Sequence, residues 1–182
     1  HIHENLEVTV MYVTHDQSEA LTMSNRVAVF DDGVVQQLAP PDELYEKPTN
    51  AFVAGFIGEN NRLLGTILSI DGGNCLVKLD DGSEVQANAI NIHGVGDRTT
   101  LSLRPERVVV NPEPGSLPNM FHAKVAELIY LGDHFRTRMS VCGHDDFVVK
   151  IPNSSHSASL NEGDAVSIGW NVEDCRALDP SD

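Results

Sequence analysis

From residue 59 onward the chain is written in short β-type runs cut by turn signals, which restricts it to a small barrel or sandwich. The runs at 63–70, 75–79, 84–87, 99–104 and 108–110 are rich in Val, Ile, Leu and Thr. Between them stand Asp71-Gly72-Gly73-Asn74 and Asp80-Asp81-Gly82, where glycine supplies the positive φ of a tight turn. A Pro/Gly-rich break at 112–118 interrupts the series, which resumes at 123–130, 135–141, 147–151 and 165–170. Two architectures fit: two OB-like barrels, or two lobes of one β-domain that exchange strands. No clear residue-level repeat relates the two halves. Trp170, the sole tryptophan, is expected in the core, and Gly143-His144-Asp145-Asp146 is expected to be a hairpin turn.

The first 58 residues have a different texture. Residues 8–14 are β-branched and aromatic without alternation, the pattern of a strand buried on both faces. Asp16 followed by Glu19 has capping-box spacing and predicts a helix over 16–23, with Ala20, Leu21 and Met23 inward. Residues 26–30 read as a second buried strand, reached by a connection long enough for a right-handed crossover. Asp31-Asp32-Gly33 then turns the chain into an antiparallel return over 34–38. Helices are predicted at 40–46 and 50–57, the second with Phe52, Val53, Phe56 and Ile57 on one face and Gly58 as terminator. A central strand needs neighbours on both sides. The opening therefore reads as the middle of a domain, and the chain as a C-terminal piece of something longer.

His15 is placed by this scheme at the C-terminal end of a buried strand, the edge where open α/β sheets bind ligands. Next to Asp16 it has three chemical readings: a general base with an orienting carboxylate, a metal ligand, or a donor to a phosphate oxygen. The plain alternative is a polar loop residue at a helix start. His1, His3, His93, His122, His134, His144 and His156 are scattered without metal-ligand spacing, apart from the His1/His3 pair. Arg104 and Glu106 flank Pro105 and suit either an intradomain ion pair or a contact across a subunit interface.

A net charge of -15 argues against nucleic acid or an anionic membrane as the main partner, since both need a basic footprint. The longest uncharged apolar-rich stretch, 48–58, is too short to span a bilayer. No basic segment followed by an apolar core, as in a signal peptide, stands at the start. Cys75, Cys142 and Cys175 are odd in number and form no CxxC pair, which predicts three free thiols in a reducing compartment.

The string from Val8 to Phe30 resembles the switch, or H-loop, region of ABC-transporter ATPase subunits. The resemblance continues through Asp32-Gly33, residues 41–48 and residues 52–58. Leu103-Arg104-Pro105-Glu106 is similar to a signature in the C-terminal regulatory domain of ABC importer ATPases. Tyr130-Leu131-Gly132-Asp133-His134 is similar to the second half of that domain, called TOBE. Together with Gly58-Glu59-Asn60-Asn61, this last string most resembles the polyamine (spermidine/putrescine) importers, with iron(III) or sugar importers as alternatives.

The resemblance implies an α/β remnant of a P-loop ATPase domain over 1–58. It implies an all-β TOBE/MOP-like domain of OB-like barrels over 59–182, in two units divided near 112–118. It also implies that His15 is the switch histidine, contacting the γ-phosphate of ATP and helping to position the attacking water. Asp16 and Gln17 would then be structural. The implied full-length protein uses ATP and Mg²⁺ and forms a homodimer. It would join transmembrane permeases at the cytoplasmic face of the membrane and work with a periplasmic solute-binding protein. GxxxxGK[ST], the Leu-Ser-Gly-Gly-Gln signature and a strand ending in Asp-Glu are all missing from these residues. Residues 1–182 alone are therefore expected neither to hydrolyse ATP nor to hold it tightly, and no metal ligands are assigned. Outside the family, the alternatives are a stand-alone oxyanion or small-solute binding module, and a His-Asp hydrolase for which no nucleophile or metal set is visible.

Overall fold

The structure, a computed structural model, describes residues 8–153 and 160–181. The chain divides into two compact units, His1–Lys47 and Pro48–Asp182. This division falls ahead of the change of sequence texture at Glu59.

In the first unit, helix α1 spans Gln17–Met23, and Asp16 Oδ1 accepts from the Glu19 amide at 3.1 Å, the cap its spacing predicts. Strands β1 (Val27–Asp31) and β2 (Val34–Ala39) form an antiparallel hairpin. Its two-residue turn has Asp32 at φ 46° and Gly33 at φ 75°, the doubly positive conformation of a type I′ turn. Helix α2 spans Pro41–Glu46 and buries Leu44.

The buried strands and the inward helix face expected for this unit are not found among the described residues. Residues 8–14 form no strand; Met11 is 92% and Val13 85% exposed. They have a strand's composition but no partner: the one sheet among the described residues of this unit is the β1–β2 pair. Unpaired backbone groups gain nothing from an extended conformation, so no parallel α/β sheet forms here. For the same reason β1 buries only Val29, and α1 buries no residue, with Met23 exposed.

The second unit begins with helix α3 (Ala51–Phe56), capped by Asn50 and followed by Gly58 at φ 71°. Its inward residues are Ala51, Val53, Ala54 and Ile57. Phe52 and Phe56 instead stack on each other with centroids 5.6 Å apart, and Phe56 is exposed. The buried face is thus the small-residue one, because Leu178 packs closely against Ala51 and Ala54.

The first half continues with β3 (Asn61–Asp71), β4 (Asn74–Leu79), β5 (Glu84–Ala89) and β6 (Arg98–Leu103). A 3-10 turn (Pro105–Arg107) and the short β7 (Val109–Val110) follow. The second half repeats the order: β8 (Asn119–Tyr130), β9 (His134–Val141), β10 (His144–Pro152), β11 (Ala165–Trp170), a 3-10 turn (Val172–Asp174) and β12 (Cys175–Leu178). Asn61 and Asn119 start equivalent strands, paired with Leu103 and Trp170. The register shift after Ile67 recurs at the same spacing after Val125.

The final strands change places. β7 follows the first half but pairs with β11 of the second. β12 follows the second half but pairs with β6 and β5 of the first. The result is a closed barrel, β12-β5-β4-β3-β6, and a five-stranded sheet, β10-β9-β8-β11-β7. Of the two architectures left open by the sequence, this is the one with exchanged strands. One apolar core runs through both lobes, from Leu63, Val77 and Leu101 to Met139, Phe147 and the fully buried Trp170. The expected turn at 143–146 is displaced: Cys142 and Gly143 make it with φ 49° and 76°, and His144 already belongs to β10.

The three cysteines are free; Cys75 and Cys175 are buried and Cys142 partly so. Burial pushes all three thiols up, Cys142 to about 11. A thiol reagent at about pH 8 should therefore label the folded chain slowly and all three sites rapidly in urea. Rapid labelling of the folded chain at Cys75 or Cys175 would contradict this packing.

Candidate functional site

The loop that carries His15 is organised by Glu19. Tyr12 Oη and Thr14 Oγ1 each donate to Glu19 Oε2 at 3.2 Å. The Asp16 amide donates to Thr14 Oγ1 at 3.0 Å, and Asp16 itself caps α1. The main chain around His15 is thus fixed by its neighbours while the imidazole is exposed. Among the described residues His15 makes no hydrogen bond or ion pair.

This arrangement narrows the chemistry. The Asp16 carboxylate is committed to the helix start, so a general base with an orienting carboxylate is not assembled. No three His, Cys, Asp or Glu residues among the described ones could hold a metal ion. Among the described residues the donor set offers one imidazole and no adjoining lysine or glycine-rich loop. Such a set has the chemistry to offer one hydrogen-bond donor to a phosphate oxygen. Among the described residues the His134 ring pairs with the neighbouring Asp133 at 2.8 Å. His1, His3 and His156 lie outside the described residues.

In the second unit the polar groups gather where the lobes meet, and sequence reasoning missed most of them. Asn61, 4% exposed, donates Nδ2 to Val148 O and accepts from Val148 N, both at 2.7 Å. Asn119 does the same in the opposite direction, accepting from Gln86 N at 2.8 Å and donating to Gln86 O at 2.9 Å. Each amide mimics a peptide group and caps a strand of the other lobe. Their shared position at the start of β3 and β8 was the available signal, but it becomes visible only once the two halves are aligned by structure.

Glu59 is the second joint. Arg136 on β9 donates Nε to Glu59 Oε1 at 2.9 Å and also contacts it through Nη2, while Lys150 Nζ on β10 lies 3.5 Å from Oε2. Arg104, only 6% exposed, donates Nη1 to Ala54 O at 3.1 Å and Glu59 O at 3.0 Å. Its role is thus chiefly to satisfy carbonyls at the end of α3, because a buried guanidinium needs acceptors wherever the fold provides them. Glu106 is exposed.

The Arg136 guanidinium holds the Glu59 carboxyl below its ordinary 4.5, with Lys150 assisting. A depressed carboxyl contributes stability that is complete above the unfolded value and lost as pH falls through the folded one. Glu59→Gln should therefore cost about 0.5–1 kcal/mol at neutral pH, a partly screened pair, and less near pH 3. Urea midpoints at the two pH values test this; an equal cost at both would remove the ion pair as its cause.

A shallow cleft of about 100 Å³ lies against Asn60, Arg62, His144 and Asp146. Its mixed lining favours neither an anion nor a cation.

The TOBE domain family matches residues 101–178. The spermidine/putrescine import ATP-binding protein PotA of Rubrobacter xylanophilus is 40% identical over 173 residues, 94% of this chain and 45% of that protein. PotA of Trichodesmium erythraeum is 33% identical over 187 residues, 99% of this chain and 49% of the relative. PotA 1 of Pseudomonas aeruginosa is 40% identical over 150 residues, covering 81% and 40%. The chain thus spans about half the length of the relatives it matches. In fold it is similar to the cytoplasmic molybdate-binding protein ModG with molybdate bound: TM-score 0.57, 14% identity, 66% of this chain and 96% of that one.

Proposed function

The chain carries a TOBE domain and is related along nearly its whole length to the spermidine/putrescine import ATP-binding proteins, and from that premise we propose that it is part of the ATP-binding subunit of an ABC importer for polyamines. The observation that carries the proposal is the 40% identity to one such protein over 94% of the chain. Within it, residues 1–58 are the end of the nucleotide-binding domain and the β-domain is regulatory. His15 is the switch histidine, donating to the γ-phosphate and placing the attacking water. Mg²⁺, when bound to the full-length protein, would supply neutralisation of phosphate charge; among the described residues none is assigned to hold it.

The bare surface of the first unit supports this assignment. Val10, Met11, Val13, Phe30, Val34 and Val35 are exposed together with Tyr12. This many exposed apolar side chains in a unit of this size are what the rest of an ATPase domain would cover. The assembled protein would dimerise, dock on transmembrane permeases at the cytoplasmic face and serve a periplasmic solute-binding protein. No helix among the described residues is long and apolar enough to cross a membrane.

Two measurements test the proposal. The coding sequence upstream of His1 should specify a P-loop and a Leu-Ser-Gly-Gly-Gln signature; a start codon immediately before the His1 codon would overturn the catalytic part. Cells given the full-length gene with its permease genes should take up labelled spermidine or putrescine in an ATP-dependent way. Uptake of iron(III) or a sugar instead would overturn the solute class. The reading of the chain as a stand-alone oxyanion module rests on the shared fold alone.

A further inference from the structure

Residues 48–59, through which the chain enters the second unit, are fastened at both ends. At the start, Arg176 Nε donates to Pro48 O at 3.1 Å, and the Ala51 amide donates to Asp179 Oδ1 at 2.8 Å. Leu178 packs on Ala51 and Ala54 between these bonds. At the end, Arg104 holds the carbonyls of Ala54 and Glu59, while Arg136 and Lys150 hold the Glu59 carboxylate. A helix of six residues is too short to persist alone. Its existence depends on these clamps.

The clamps come from both lobes. Arg136 and Lys150 belong to the second sheet. Arg104 follows β6 of the barrel. Arg176 and Leu178 lie on β12, the strand that leaves the second half to close the first barrel, and Asp179 follows it directly. Any change in how the lobes meet must therefore pull on this segment.

We infer that residues 48–59 are a coupling segment that carries the arrangement of the two lobes to the residues preceding Pro48, with Asp179 and Arg136 as its positioning residues. The inference rests on the ATPase reading only for what is coupled; the clamping itself belongs to this chain.

Hydrogen exchange on residues 1–182 tests the clamp. Asp179→Ala should speed exchange of the amides at 51–57 about tenfold or more, the loss of a hydrogen bond to a charged acceptor, and leave β3–β6 protected. Asp179→Asn, whose amide oxygen still accepts from Ala51, should restore slow exchange. Arg136→Ala should loosen the same segment from its other end. Unchanged exchange in Asp179→Ala, or an increase spread evenly over the barrel, would overturn the clamp. In the full-length protein with its permeases, Asp179→Ala and Arg136→Ala should alter ATP turnover at least twofold while Asp179→Asn does not. Faster local exchange with unaltered turnover would overturn the coupling and leave the ATPase reading standing. A full-length protein that hydrolyses no ATP would overturn that reading and the coupling with it, while the exchange data still decide the clamp.

Discussion

Replacing His15 by alanine in the full-length protein should lower ATP turnover by about 10²-fold or more, the scale on which a single donor aimed at developing phosphate charge acts. Folding should not change. The imidazole is exposed, and among the described residues it has no partner to lose. The hydrogen bonds that shape its loop run through Tyr12, Thr14, Asp16 and Glu19, none of which needs the ring. Thermal melting of the variant should therefore overlay that of the parent, and nucleotide affinity should fall far less than turnover. Steady-state hydrolysis with the permease complex present is the measurement. Turnover equal to the parent's would remove the switch role from His15. Residues 1–182 alone should show no micromolar Mg-ATP binding by calorimetry, because a single imidazole contact cannot retain a nucleotide.

Asn61→Leu should be the most damaging polar substitution in the β-domain. Leucine is close to asparagine in size, so the change tests hydrogen bonding more than volume. It strands the N–H and C=O of Val148, a buried residue, away from water. Two buried main-chain groups left unpaired cost about 2–5 kcal/mol together. Asn119→Leu removes the mirror-image pair, but those hydrogen bonds are half-buried where the ones to Val148 are fully buried. Its cost should be about half as large or less. Urea denaturation of residues 1–182 with both variants gives the comparison. Equal costs would mean that the amides act through packing and not through the strand edges they cap.

The two substitutions also mark how far the sequence could be read. The hydrogen-bonded turns around His15 were legible because they are local. Asp16 caps the helix that follows it, Asp32-Gly33 turns the next hairpin, and Pro41 opens α2, each acting within a few residues. The strands from β3 to β11 were legible for the same reason, since turn glycines punctuate β-rich runs. The interlobe joints were not. An asparagine at a strand start looks like any other turn residue, and Glu59, Arg136 and Lys150 are far apart in the chain. Residues 8–14 failed in the opposite sense: their composition suits a buried strand, yet burial needs partners that no local pattern can guarantee.

By itself, then, the sequence determined most of the turns, the helix caps, most of the β-runs and the family resemblance. These depend on backbone preferences and short-range hydrogen bonds, which act between neighbours in the chain. Only the tertiary structure decided that β7 and β12 change lobes, that Asn61 and Asn119 cap strands across the joint, and that β12 and Asp179 hold the entry to the domain. Those outcomes turn on which distant strand edge is free when the core closes. That is a property of the assembled surface and not of any short stretch of residues.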